Sequence, residues 1–335
     1  MTPLLTVGIP VYNSMPYLPE AVASILSQSF RDFELLVIND GSRDGSWEYL
    51  RSLNDPRIRL ISQPNKGLTA TLNQMLEEAR TRWLVRLDAD DVSRPDRLAI
   101  AADAIAKNPH AGMFYSRAAH HNHPGVINQS RSTEGSPSDL RALTRSGYLL
   151  AICHVSAILN IEKTRSIGGY RFNLHVEDLD LWWRMALKYD IVFLPEVTVD
   201  IRLNEGSSCI NNLQKLTANT LYIQYLLLSA LWNLSPLPYG QVIPDLTKLV
   251  DERYLAYREQ MWKAGSRMGE REYGKALAHI ARAVRHSPRN FLRRLLYPFK
   301  PNEPIRLGKS PQVYSGISER LWPDACRCTG LVTYV

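Results

Sequence analysis

A short acidic segment, Asp88-Ala89-Asp90-Asp91, directly follows the apolar run 83–87. Alternation along an extended chain puts Asp88 and Asp90 on the same side. Carboxylates this close repel one another, and they stay ionised near neutral pH when a cation lies between them. Mg²⁺ and Mn²⁺ favour oxygen ligands and often share them with substrate phosphates. The segment therefore predicts a divalent-metal site. The alternative is an acidic loop that only caps a helix.

Two further polar segments carry candidate chemistry. Asp40 follows the apolar run 33–38, where its carboxylate can accept a hydrogen bond from a base N–H, and Gly41 permits a tight turn. An ordinary Asp-Gly turn is the alternative. Glu177 and Asp178 precede a helical apolar stripe. They predict either a general base for an acceptor hydroxyl, at Asp178, or acids that only complement the helix dipole.

The elements that would position these residues alternate along the first hundred residues. Apolar runs predict strands, and segments of helical period between them predict helices. The predicted strands are residues 6–12, 33–38, 58–61 and 83–87. This alternation predicts βαβ units and a parallel sheet, in which ligands bind beyond the carboxyl ends of the strands. Tyr12, Asp40 and Asp88 each follow a strand, so we expect them to lie together.

Local signals predict the boundaries of later elements. Ser93 is a good N-cap and predicts a helix start, with Asp96 near the positive end of the helix dipole. Ser136 before Pro137 predicts another helix start. Residues 117–138 are polar and contain three histidines, but they lack further ligands at metal-binding spacing. We therefore predict a mobile surface loop there.

The charge of the chain is divided unevenly. Residues 1–210 carry 22 basic and 24 acidic side chains, whereas residues 211–335 carry 18 and 9. The later part also loses its strand signals and becomes helical in pattern, so we predict a catalytic domain over 1–210 and a helical region over 211–335. Residues 290–300 mix basic and bulky apolar side chains. They predict either peripheral contact with an anionic membrane surface or a core-facing helix with a basic outer side.

The composition is that of a soluble globular protein, with 45% hydrophobic and 22% charged residues among 335. The N-terminus lacks the basic and apolar regions of a signal peptide, and no apolar stretch approaches the ~18–20 residues of a membrane span. We therefore expect a cytoplasmic protein, peripheral at the inner face of the membrane if residues 290–300 bind there. The positive charge lacks a recognisable nucleic-acid module, so no nucleic-acid partner is expected.

The motifs taken together resemble the family 2 glycosyltransferases. In order along the chain, they are Thr6–Asn13, Val37–Ser42, Asn65–Leu68, Leu87–Asp91 and Glu177-Asp178. The resemblance covers about residues 4–205 and implies an α/β GT-A fold, which is Rossmann-like with a mostly parallel central sheet flanked by helices. It also implies inverting transfer of a hexose or N-acetylhexosamine from a nucleotide-diphosphate sugar, with UDP favoured through Asp40.

The resemblance further implies a role for each matching residue. The implied nucleotide-binding residues are Pro10, Tyr12, Asp40, Asn65, Gly67 and Asp88. Asp90 would hold Mn²⁺ or Mg²⁺, a role that Asp91 could share, while Asp178 would be the base and Glu177 would lie near the acceptor. Many members carry a glutamate where this chain has Ser14 and Met15. Donor contacts in that loop therefore stay open.

The implied partners are a nucleotide-sugar donor and a glycan or lipid-linked glycan acceptor, as in surface polysaccharide or glycoconjugate synthesis. Two other classes of function remain as alternatives. A nucleotidyltransferase can also use a sheet, a metal and paired acids, but the segment Ile9–Asn13 lacks the glycine- and lysine-rich phosphate loop expected of that class. The other alternative is a nucleotide-sugar-binding protein without catalytic activity, whose helical half binds partners. The presence of both Asp90 and Asp178 disfavours it.

Overall fold

The first half of the chain folds into βαβ units, because its apolar strands alternate with helices that have one apolar face. A computed structural model describes residues 4–122, 125–129, 132–202, 213–269 and 271–288. Within these residues, nine strands join in one sheet. The strands are β1 (Leu5–Val11), β2 (Phe33–Asp40), β3 (Ile58–Gln63), β4 (Trp83–Arg86), β5 (Val92–Ser93), β6 (Met113–Asn122), β7 (Gly125–Gln129), β8 (Ile158–Asn160) and β9 (Ile191–Arg202).

Helices connect these strands and continue beyond the last of them. They are α1 (Leu18–Leu26), α2 (Ser46–Ser52), α3 (Leu68–Glu78), α4 (Arg97–Lys107), α5 (Pro137–Arg145), α6 (Ile161–Ser166), α7 (Glu177–Lys188), α8 (Leu213–Leu231), α9 (Tyr239–Lys248), α10 (Glu252–Gly269) and α11 (Tyr273–His286). A 3₁₀ turn covers His154–Ser156. Within the described ranges, no helix is long and apolar enough to cross a membrane.

The sheet has a parallel half and a mixed half. The order is β3-β2-β1-β4-β8-β6-β9-β5, with β7 paired to β6. Strands β1 to β4 are parallel to one another, whereas β8 is antiparallel to both β4 and β6. Strands β6 and β9 are again parallel. The mostly parallel sheet with flanking helices confirms the predicted fold class, and it brings the carboxyl ends of β2, β1 and β4 to one edge.

Two apolar clusters hold helices against the sheet. Along β2, Leu35 and Val37 belong to one cluster with residues of α1 and α4, and Leu36 and Ile38 belong to the other with residues of α3 and α7. Alternate side chains of a strand point to opposite faces, so both faces of β2 are covered. Helices α8 and α9 add apolar residues to the second cluster. The division at residues 210 and 211 stays a prediction.

Two local predictions were wrong, and both failed because strands paired with distant segments. Residues 117–122 and 125–129, predicted as part of a loop, lie in β6 and β7, where β6 pairs with β9 and β7. Ser93 does not cap a helix, since it pairs with Val199 in the sheet and α4 begins at Arg97. The cap at Ser136 is confirmed by a reciprocal capping box with Asp139. The basic segment 290–300 lies outside the described residues.

Candidate active site

The segment after β1 presents an aromatic ring to solvent. Pro10 lies in β1 opposite Ile38 of β2, and Tyr12 follows the strand with 54% of its surface exposed. Asn13 has a positive φ of 50°, and its side-chain oxygen accepts a hydrogen bond from the Arg43 backbone N–H at 2.8 Å. The loop after β1 is thereby tied to the loop after β2. An exposed ring held in this way offers a face on which a base can stack.

Asp40, the last residue of β2, is buried and shapes the loop after β3. Its Oδ1 accepts hydrogen bonds from Gln63 Nε2 and the Lys66 backbone N–H, both at 2.8 Å. Its Oδ2 accepts the Gly67 backbone N–H at 2.9 Å. The described contacts of Asp40 are therefore with its own chain, and the predicted contact with a base N–H has only the remaining acceptor capacity of Oδ2 to use.

Glycines at two positions allow these loops to approach closely. Gly41 has a φ of +76°, and a Cβ there would lie 2.8 Å from the Asn65 backbone nitrogen. Gly67 has a φ of +86°, and a Cβ there would lie 3.3 Å from Asn173 Nδ2. Any larger residue would strain the backbone at both positions. The exposed Asn65 and the loop carrying Asn173 thus converge beside the end of β2.

The three aspartates after β4 form one cluster. Ligand oxygens of Asp88, Asp90 and Asp91 lie within 4.8 Å of one another. Asp91 is buried, and its Oδ1 accepts the Arg202 backbone N–H at 2.9 Å. Asp88 and Asp90 are more accessible. The cluster thus combines two accessible carboxylates with a third that also fixes the end of β9.

The pKa values of the cluster indicate that nearby arginines only partly compensate its negative charge. Burial, followed by the charge of Asp88, raises the pKa of Asp90 to about 6. The same two causes raise the pKa of Asp91 well above its ordinary value. A divalent cation would remove this repulsion, and an all-oxygen donor set suits Mg²⁺ or Mn²⁺. The residues present therefore fit such a cation.

A buried arginine lies beneath the cluster. Arg86, at the end of β4, has a side chain only 4% exposed, and its two terminal nitrogens bind the two oxygens of Asp88 at 2.6 and 2.9 Å. Burial opposes its charge, but Asp88, with smaller contributions from Tyr170 and Glu177, outweighs burial, so the pKa of Arg86 is raised. Arg97 of α4 in turn donates to the backbone oxygens of Arg86 and Val155. Asp88 is therefore held in a fixed, charge-assisted orientation.

The second acidic pair begins helix α7. Glu177 is buried and Asp178 is half-buried. The Asp178 Oδ1 accepts the Leu179 backbone N–H at 2.8 Å, and His175, just before the helix, has a positive φ of 57°. Burial, followed by the charge of Glu177, raises the pKa of Asp178 to about 7. A carboxylate with this pKa is well suited to accept a proton near neutral pH.

The acidic cluster after β4 and the acidic pair Glu177-Asp178 influence each other's pKa values. The charge of Asp88 contributes to the raised pKa of Glu177, for which burial is the main cause, and Arg86 acts in the opposite direction. Arg86 also lowers the pKa of Asp178 against the larger effects of burial and Glu177. The end of β4 and the start of α7 therefore face one another across a shared electrostatic environment. The structure brings together the residues that follow β1, β2 and β4 with the pair at α7.

A buried ion network anchors the first turns of α7. Asp180 is fully buried and binds Arg171 at 2.6 and 2.9 Å. Its Oδ2 also accepts from Arg184 at 2.7 and 3.0 Å. Arg184 donates further to the backbone oxygens of Ile167 and Gly169. Because Asp180 lies two residues after Asp178, this network fixes the helix end that carries the candidate base.

Four residues of the site were missed from the sequence. Arg86 fixes Asp88, and Arg202 contacts the Asp90 carbonyl oxygen through Nε at 3.1 Å. His154 lies beside Glu177, and the Tyr170 hydroxyl contacts His154. A charged residue inside the apolar run before Asp88 was the available signal for Arg86, because a buried arginine needs a partner. The other three follow from tertiary packing and have no local signal.

Several known proteins that are similar to this chain are described as glycosyltransferases or polysaccharide synthases. Residues 6–167 match the family model described as "Glycosyl transferase family 2". A putative glycosyltransferase, EpsE of Bacillus subtilis, is 32% identical over 200 residues, which is 54% of this chain and 66% of that protein. The chondroitin synthase of Pasteurella multocida is 33% identical over 116 residues, which is 34% of this chain and 12% of that protein. The chain thus spans less than two thirds of either relative.

Solved structures share the fold. TarS residues 1–349 of S. aureus, in complex with UDP-GlcNAc, matches with a TM-score of 0.53 and 16% identity over 86% of this chain and 82% of that one. The mannosyltransferase PcManGT of Pyrobaculum calidifontis, in complex with GDP-Man and Mn²⁺, matches with a TM-score of 0.53 and 20% identity over 90% and 82%. These likenesses confirm the predicted GT-A fold. The family match, the ordered motifs and this fold show that residues 6–167 of the chain are similar to glycosyl transferase family 2.

Proposed function

We propose that this protein transfers a sugar from a nucleotide-diphosphate sugar to an acceptor hydroxyl with inversion at the anomeric carbon. The observation that carries the proposal is the meeting of two acidic groups, Asp88–Asp91 and Glu177-Asp178, at the carboxyl edge of the sheet. One group suits a metal and a diphosphate, and the other supplies a base with a pKa of about 7 at Asp178. The names of the similar proteins agree with a nucleotide-sugar donor.

The proposed reaction is a single displacement. The acceptor oxygen attacks the anomeric carbon, and Asp178 takes the proton that this oxygen loses. The bond from the anomeric carbon to the diphosphate oxygen breaks, and the nucleoside diphosphate leaves with the electron pair. Asp90 would hold a divalent cation, which would supply charge neutralisation for that leaving group. Glu177 lies beside Asp178, and we propose that it contacts the acceptor.

We propose that the loops after β1, β2 and β3 bind the nucleotide through their backbone shape as well as through side chains. Tyr12 supplies an exposed ring for the base, while Asp40 fixes the backbone of Lys66 and Gly67 beside it. Asp88 is held by Arg86, and we propose that it contacts the ribose hydroxyls. We propose UDP as the nucleotide, although the two solved neighbours carry UDP-GlcNAc and GDP-Man.

The two metal candidates have different surroundings. Asp91 is buried and already accepts the Arg202 N–H, whereas Asp90 is more accessible. We therefore propose Asp90 as the main ligand and Asp91 as a residue that positions the turn. The acceptor is proposed to be a glycan or lipid-linked glycan in surface polysaccharide or glycoconjugate synthesis. Peripheral binding to the inner face of the membrane, in the cytoplasm, stays part of this proposal.

Thermal unfolding with added nucleotides tests the donor site directly. We expect UDP, and a UDP-sugar such as UDP-GlcNAc, to raise the melting temperature with Mn²⁺ present, because a ligand bound by the native state alone stabilises it. Asp90→Asn should lose the Mn²⁺-dependent part of the shift, while Asp103→Asn, which changes an exposed acid of α4, should keep it. If UDP, GDP, dTDP, CMP and their sugars all leave the melting temperature unchanged, the proposed function is wrong.

Activity and stability should respond to pH in opposite directions. Asp178 accepts a proton only when ionised, so the rate should rise with pH through its pKa of about 7. Its folded pKa lies above the unfolded value of about 4, so the folded state binds more protons between these values. Stability must therefore fall as pH rises through that window. Melting temperatures and rates across the window measure both, and Asp178→Asn should flatten the stability slope; an unchanged slope would contradict the assignment.

A further inference from the structure

His154 lies beside the acidic pair Glu177-Asp178 of α7, and its two ring nitrogens face Tyr170 and Glu177. Its Nε2 is 2.9 Å from the Tyr170 hydroxyl, and its Nδ1 is 4.0 Å from Glu177 Oε1. Its ring packs edge-on against Trp182, with centroids 5.6 Å apart. The 3₁₀ turn that carries His154 also receives the Arg97 side chain at the Val155 carbonyl oxygen. The imidazole is therefore fixed on several sides and faces Glu177 with one nitrogen.

The surroundings of His154 favour a neutral ring with one defined tautomer. Burial, followed by the charge of Arg86, lowers the pKa of His154 well below its usual value. Burial raises the pKa of Tyr170, which therefore keeps its hydroxyl proton. That hydroxyl can donate to Nε2, which leaves the imidazole proton on Nδ1. An N–H directed at the Glu177 carboxylate is attractive, whereas a lone pair directed at it would be repulsive.

We propose that His154 is a positioning residue for the Glu177–Asp178 pair, acting as a neutral Nδ1–H imidazole that Tyr170 holds in place and that orients the Glu177 carboxylate. The separation of 4.0 Å is longer than a hydrogen bond. Contacts around a catalytic group are often long without substrate and shorten in the reacting complex. The role of His154 is thus to hold the Glu177 carboxylate in one orientation while the acceptor binds.

Neutrality is the essential part of this role. A cation beside Glu177 would favour the ionised form of both acids and would lower the basicity of Asp178. The charged or titratable groups that act on this arrangement include Arg86, Asp88, Tyr170, His175, Glu177 and Asp178. Arg86 already supplies a positive charge, and it is engaged with Asp88. A neutral imidazole can orient Glu177 without adding a second positive charge.

This inference rests on the proposed function, and the experiment separates the two. Wild type, His154→Phe, His154→Gln and Tyr170→Phe would be compared for release of UDP from UDP-GlcNAc with Mn²⁺, water serving as the acceptor. We expect His154→Phe to lower kcat roughly 10- to 100-fold, as loss of supporting partners does at metal sites. KM for UDP-GlcNAc should change less than about twofold. His154→Gln, which keeps an N–H donor, should recover part of kcat.

A structural role alone would not produce the same set of results. The tautomer of His154 can be read from the carbon and nitrogen NMR shifts of labelled histidine, with His154→Gln identifying the signal even if His154→Phe fails to fold. We expect the neutral Nδ1–H form at pH 7, and Tyr170→Phe should shift it toward Nε2–H. A protonated ring, an Nε2–H ring in wild type or full turnover in His154→Gln and His154→Phe would overturn the inference. Failure of wild type to bind any nucleotide sugar would instead overturn the proposed function.

Discussion

Asp178→Asn should reduce the rate of sugar transfer by about 10²- to 10⁴-fold, the range that general-base catalysis contributes. The amide has nearly the same shape as the carboxylate but cannot take the proton from the attacking oxygen. Its side-chain oxygen can still accept the Leu179 N–H that Asp178 Oδ1 accepts at 2.8 Å, so the start of α7 should keep its geometry. The loss should therefore appear in kcat rather than in donor binding.

Rates of UDP release from UDP-GlcNAc, measured with water or with a panel of glycan acceptors, would quantify this loss. The melting-temperature shift with UDP and Mn²⁺ should be the same in Asp178→Asn as in wild type. Asp103→Asn removes one negative charge from an exposed ion pair with Lys107 and should leave the rate unchanged. If Asp178→Asn retains the full rate, another group takes the proton and the assignment of Asp178 is wrong.

Asp180→Ala should destabilise the protein by about 3–5 kcal/mol, because it leaves the buried charge of Arg184 without its partner. Asp180 is 0% exposed and receives hydrogen bonds from both Arg171 and Arg184. Burial lowers the pKa of Arg184, so this position disfavours a cation. Loss of the carboxylate removes the main favourable contact of that cation.

Urea unfolding at fixed pH would measure the change in the free energy of unfolding. Asp103→Ala serves as the control, since exposed i,i+4 ion pairs contribute only about 0.3–0.5 kcal/mol. The double variant Asp180→Ala with Arg184→Met should be more stable than Asp180→Ala alone, because it removes the unpaired charge. A loss below about 1 kcal/mol for Asp180→Ala would show that the network does not anchor α7.

Local sequence patterns were sufficient for the parallel half of the sheet. Strands β1 to β4 are short apolar runs that end at turn residues. β1, β2 and β3 pair in sequence order, and β4 pairs with β1 across the intervening βαβ unit. The mixed half depends on distant pairing. β6 extends through the polar residues 117–122 because it lies beside β9, and Ser93 becomes a strand residue because it meets Val199. Neither outcome has a signal in the local pattern.

The acidic residues of the site could be predicted, but their supporting partners could not. Asp88, Asp90 and Asp91 are adjacent in sequence, and they form a cluster as expected. Asp40 was expected to face a base, yet its described hydrogen bonds go to Gln63 and to backbone groups of the next loop. Burial and hydrogen-bond partners arise from tertiary packing, so spacing alone cannot show whether a carboxylate faces a ligand or the chain itself.

The antiparallel strand β8 also determines when the sheet is protected during synthesis. β4 is complete once residue 86 has been added, but its second neighbour begins only at Ile158. Until then one side of β4 has unpaired backbone groups, and such an edge is a template for pairing with other chains. Chains fold from the N-terminus as they are made. β4 therefore keeps an open edge until the three residues Ile158–Asn160 have left the ribosome and can pair with it.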